Sequence, residues 1–147
     1  MPNKVRVKSI LQGGAVIDLP MIAAVSFAAS GIGRFVSPGS IVGEVILSTG
    51  GSNPAPLGVL QNSPTAGQPA RVRLFGISSM NASPGACNLK SGTFITSAST
   101  GTACAAGLTG VALGRWLSAS TAADVTDNSG CAFINCGGFG SCGLAAS

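Results

Sequence analysis

Apolar positions in this chain come in short runs, set between Gly, Pro, Asn and Ser or alternating with polar neighbours, and almost nowhere at helical spacing. The clearest stretch is 57–78, LGVLQNSPTAGQPARVRLFGIS. Leu57, Val59 and Leu60 begin an apolar run, 62–67 supplies turn chemistry, and 71–77 alternates until Ser78, so the segment reads as strand, turn, strand. The same pattern predicts strands at 5–11, 15–19, 25–28, 34–36, 41–48, 57–61, 70–78, 93–97, 111–117 and 131–136. Reversals are marked by Pro38-Gly39, 50–54, Pro84-Gly85, 99–101 and 128–130. The stretch 19–29 has two readings. Pro20 suits a first helical position and Gly31 a helix stop, but Val25, Ser26 and Phe27 sit better in a sheet, which favours a strand. The expected class is all-β, a sandwich or a barrel, around one compact core.

Two groups of cations change the picture. Lys4, Arg6 and Lys8 recur at period two, so a strand there presents all three on one face and Val5 and Val7 on the other. Such a ridge either guards an edge strand against unwanted pairing or belongs to an arm that adds to a neighbour's sheet or lies on an acidic surface. Gly13-Gly14 could hinge that arm. Arg71 and Arg73 share a face with Phe75 and Ile77, a mixture that suits an interface or the rim of a barrel better than a core strand. The candidate partner-binding residues are therefore Lys4, Arg6, Lys8, Arg71, Arg73 and Phe75. The chain divides into an arm (1–12), a β domain (13–136) and a glycine-rich tail (137–147).

Composition narrows the function classes. Charged residues make up 8% of the chain, so little keeps its surface from its neighbours, and a protein of this kind is expected to work with much of that surface covered. The net charge of +4 invites a nucleic-acid reading, but the cations are scattered, Tyr is absent and Trp116 is a lone stacking platform. An acidic protein partner suits the charge equally well. No apolar run is long enough to cross a membrane, and Gln12, Gly13, Gly14 and Asp18 interrupt the only stretch that resembles a leader, so neither a span nor a cleaved signal is expected. Cys87, Cys104, Cys131, Cys136 and Cys142 form no CxxC and have no His to join them, which argues against zinc. They read as small buried thiols, with a cross-strand disulfide between Cys87 and Cys104 as the sharper alternative. With no His and only Asp18, Glu44, Asp124 and Asp127 as acids, the chain lacks most general bases and metal ligands. Asp124 and Asp127 fit Asx turns, the tail GGFGSCG misses the G-x-S-x-G elbow, and no GxGxxG occurs. No catalysis, cofactor or metal is expected.

The run of a GVLQN-type strand, a P-x-A-G-Q turn and a VRLFG-type strand in 57–78 resembles the capsid cement, or head decoration, proteins of tailed bacteriophages. A weaker likeness continues through 92–117, GTFITSAS and then TGVALGRWLSAS, with CAFINC as a closing apolar strand. The cysteines and the tail after Cys136 depart from that family's pattern. The resemblance implies a small β-barrel or tulip-like fold, outside binding to an icosahedral head without catalysis, and homotrimers at three-fold or quasi-three-fold positions. The major capsid protein would then be the partner, with no direct nucleic-acid or membrane contact, on a virion assembled in the host cytoplasm. The alternative is another virion β module, such as a tail or fibre component, or a surface adhesin.

Overall fold

The computed structural model describes residues 15–50, 54–82, 89–106, 112–118 and 129–136. Among these lie nine strands: β1 (Ile17–Ala23), β2 (Phe35–Pro38), β3 (Glu44–Leu47), β4 (Gly58–Leu60), β5 (Pro69–Asn81), β6 (Phe94–Ser97), β7 (Ala103–Ala105), β8 (Gly114–Trp116) and β9 (Ser129–Asn135). One turn of 3-10 helix, Ala29–Gly31, is the only helical element among the described residues. The fold is all-β.

The long strand β5 organises it. Its first half pairs with β1 and β4, and because β1 also pairs with β3, the ring β1-β3-β2-β4-β5 closes as a five-stranded barrel. Closure leaves little open edge, the β3-facing side of β1 before Ile22 being the exception. The second half of β5 runs past the barrel and pairs with β9, after which β8, β6 and β7 follow in order. A single parallel bridge between Ala82 and Ala103 brings β7 back to the end of β5. Gly76 sits where the two halves meet. Its φ of +116° is open to glycine alone, and a Cβ there would lie 2.8 Å from the carbonyl oxygen of Ala15 and from a methyl of Val16.

The expected single core is instead two adjoining clusters. Ala23, Phe27, Val36, Val45, Leu60, Ala70 and Val72 fill the barrel. Phe35 and Val59, pointing out through the barrel wall, join Met80, Leu89, Ile95, Ala103, Leu113, Trp116, Ala132 and Ile134 under the second half of the sheet. Strands β2 and β4 are thus buried on both faces, which is why apolar residues stand side by side in Phe35-Val36 and Val59-Leu60. A hydrogen bond of 2.8 Å from Ser97 to the hydroxyl of Ser48 satisfies both buried side chains between the two layers.

Two sequence expectations change, and the weaker reading of 19–29 falls. The strand at 25–28 does not form: the Phe27 N–H donates to the Pro64 carbonyl (2.8 Å) and the Ser26 hydroxyl accepts from the Ala66 N–H (3.1 Å), so the segment is held as an irregular strap with Phe27 in the barrel. Pro20 starts no helix and lies inside β1. The Ile22 and Ala24 N–H groups donate to the carbonyls of Gly43 and Val45, while that of Ala23 donates to Gln68 on the opposite side. By this alternation residue 20 faces the β3 side, where β3 has not yet begun, and a missing N–H costs nothing there. Strand β7, Ala-Cys-Ala, has no branched or aromatic residue to announce it. The predicted strand at 5–11, the arm and the tail lie outside the described residues.

Candidate functional site

The outward face of β5 is where the sequence candidates meet. Ala70 and Val72 point into the barrel, so Arg71 and Arg73 alternate to its outside. Pairing with β1 sets Asp18 opposite Arg73 and Pro20 opposite Arg71. Arg73 grips Asp18 with two hydrogen bonds, Nε to Oδ1 at 2.8 Å and an Nη to Oδ2 at 3.1 Å, and its other Nη donates to the Ile77 carbonyl at 2.7 Å. Only 17% of that side chain is exposed. Arg73 is therefore a clasp between β1 and β5 with little left to offer a partner. Arg71 is the opposite case, 60% exposed and 3.6 Å from the same carboxylate. Phe75 is half-buried and meets Phe133 edge to face, with ring centroids 5.1 Å apart. Lys4, Arg6 and Lys8 lie outside the described residues.

The bidentate hydrogen bond from Arg73, supported by the charges of Arg73 and Arg71, holds the Asp18 carboxyl below the ordinary value of 3.8, with partial burial opposing it. A lowered folded-state pKa means that the clasp contributes fully above about pH 4 and is lost as pH falls from there through the folded value. Asp18→Asn should accordingly cost about 1.5–3 kcal/mol near neutral pH, the range for hydrogen bonds to charged groups, and nothing at the acid end. Urea unfolding of both proteins across this range checks it; an equal gap at every pH would show that the carboxylate's charge is irrelevant.

Three residues that sequence reasoning passed over extend the face. Register places Ile77, Phe133, Arg115 and Phe94 directly opposite one another across β5, β9, β8 and β6, forming one transverse row. The Arg115 guanidinium lies 4.8 Å from the centre of the Phe94 ring, and its Nε donates to the Gly92 carbonyl at 3.3 Å. Arg115 is exposed and Phe94 is 44% exposed. A cation held over an exposed aromatic ring puts positive charge and apolar area side by side on the surface. The available signal was Arg115 beside Trp116: period two places the cation outside whenever the indole is inside. Trp116 is fully buried, so it offers no stacking platform to nucleic acid.

Among the cysteines, Cys131 and Cys136 are free thiols. Burial pushes the Cys136 thiol up to about 12, which makes it a packing residue and a poor nucleophile. Cys87 and Cys142 lie outside the described residues.

No protein-family model matches the sequence, and no curated protein matches it either. In fold the chain is similar to the crystal structure of the N base of head fiber gp8.5 from bacteriophage phi29, with a TM-score of 0.57 and 15% sequence identity over 83% of this chain and 96% of that one. The likeness spans nearly all of that base and shows a shared β fold.

Proposed function

We propose that this protein is a non-enzymatic structural component of a tailed-phage virion, bound to the outside of the head, where it stabilises the shell by bridging capsomers. The observation that carries the reading is the fold likeness to the base of a phage head fiber, which takes in most of both chains. It agrees with the resemblance of 57–78 to head cement proteins. The outward row from Ile77 to Phe94 supplies a surface for the contact, and a net charge of +4 favours an acidic capsid partner. The physical requirement is modest. A ligand that binds the closed shell better than the opened one stabilises it, and repetition over a lattice turns weak contacts into firm retention. On this reading the major capsid protein is the partner, the copies cluster at three-fold or quasi-three-fold positions, and the arm with Lys4, Arg6 and Lys8 adds to attachment. Neither nucleic acid nor membrane is contacted, and assembly takes place in the host cytoplasm.

The same likeness favours a second reading, the base of a fibre standing on the head. Adding purified protein to heads that lack it separates the two. Cement predicts co-sedimentation, three-fold density at every equivalent site and greater resistance of the heads to heat. A fibre base predicts attachment without added resistance. Failure to co-sediment with heads would sink both.

A further inference from the structure

At one end of the barrel the protein carries an exposed apolar knob and, near it, a cleft. The connection from β2 to β3 closes tightly, the Glu44 N–H donating to the Ile41 carbonyl (3.1 Å) and the Gly39 N–H to the Glu44 carbonyl (2.8 Å). At its tip Ile41 is 63% exposed and Val42 is 102% exposed, that is, wholly in solvent. Turn tips favour Gly, Asn and Asp for good physical reasons, and two adjacent β-branched side chains there contribute nothing to the fold. Exposed Ile22 stands beside them, its N–H on the Gly43 carbonyl.

The cleft lies on β1 and β5, has a volume of about 260 Å³ and is lined by Asp18, Pro20, Asn62, Pro69, Ala70 and Arg71. Pro20, Pro69 and Ala70 give it an apolar part, and its volume has room for a branched aliphatic side chain. Pairing of Ile22 with both Glu44 and Pro69 puts knob and cleft at the same end of the barrel, yet Val42 touches nothing in its own chain. The charges match as well. Glu44, at the foot of the knob, has no ion pair among the described residues, and Arg71 at the cleft rim is mostly exposed beside an Asp18 already clasped by Arg73.

We propose that Ile41 and Val42 of one copy seat in the Pro20–Pro69 cleft of a second copy, with Glu44 facing Arg71 across the contact. Pro20 also explains why a side chain and not a strand is the guest: the open side of β1 lacks the donor that strand addition needs. The contact joins unlike surfaces, so it forms a reciprocal pair, a closed ring or an open chain of copies, according to the rotation between them. A patch of this size falls well short of the roughly 800 Å² per partner of a stable interface, so the association is weak in solution and takes effect where copies are held side by side.

The test needs no heads and so stands apart from the question of head binding. In sedimentation equilibrium at high concentration the natural chain should self-associate, and Val42→Asp should weaken that association about ten-fold or more, the loss expected for one buried aliphatic side chain. The exposed tip makes the variant fold normally, which circular dichroism verifies. Mixing Val42→Cys chains with Pro20→Cys chains should give more oxidised heterodimer than mixing Val42→Cys with Leu117→Cys. A chain that stays monomeric throughout, a Val42→Asp variant that associates as well as the natural one, or equal cross-linking in the two mixtures overturns the proposal.

Discussion

Replacing Trp116 with alanine is expected to cost about 3–5 kcal/mol, the range for truncating a large buried aromatic. That is a large share of the roughly 5–15 kcal/mol that holds a domain together. Trp116 is fully buried on β8 and joins Phe35, Ile95, Ala132 and Ile134 in the cluster that unites the barrel wall with the rest of the sheet. Its ring lies so close to Gly130 of β9 that a Cβ there would overlap it. Alanine at 116 would leave a cavity bounded by backbone that cannot collapse into it. Urea unfolding followed by circular dichroism should show a much lower midpoint. Trp116→Phe should lose less, and Gly130→Ala should destabilise from the opposite side by forcing the ring to move. A Trp116→Ala protein within 1 kcal/mol of the natural one would show that the second cluster adds little to the fold.

Much of this architecture was legible in the sequence because sheet physics writes itself into short patterns. The run 57–78 gives β4, the turn and the start of β5, since Val59 and Leu60 need burial on two faces and Arg71 and Arg73 can only point outward. Gly76 escaped notice: in the sequence it is one position inside the predicted strand 70–78, while in the fold it lets that strand serve two layers. Pro20 left a helix open as the weaker reading of 19–29, because its place inside a strand depends on β3 starting only at Glu44, a tertiary fact. Phe27 looked like a strand residue and is buried as one would be, but its backbone bonds to the turn at Pro64.

The candidate site was read less completely. Arg71, Arg73 and Phe75 do share the outer face, yet the sequence could not say that Asp18, 55 positions away, would claim Arg73. Nor could it place Phe94 and Phe133 beside Arg115, because cross-strand neighbours depend on register between strands far apart in the chain. Proximity made by pairing is invisible to local pattern, and here it separates an internal clasp from a surface open to a partner.

That surface yields the second large effect. Arg115→Glu is expected to reduce attachment to heads by more than ten-fold, and Arg115→Glu with Phe94→Ser to abolish measurable occupancy. The grounds are the exposure of both residues, their mutual contact at 4.8 Å and the absence of any acid on β6, β7, β8 or β9. Interface anchors of this kind typically carry about 2 kcal/mol or more each, and reversal adds repulsion from an acidic partner to the lost attraction. Since neither side chain lies in the core, stability should stay within about 0.5 kcal/mol of the natural protein. Arg115→Gln should act more gently and differently, flattening the dependence of attachment on salt, because it removes a screened charge and leaves the ring. Occupancy measured on heads over a range of salt concentrations distinguishes these outcomes. Full occupancy by the double variant at every salt concentration would move the contact off this row and leave the arm or the barrel end to make it.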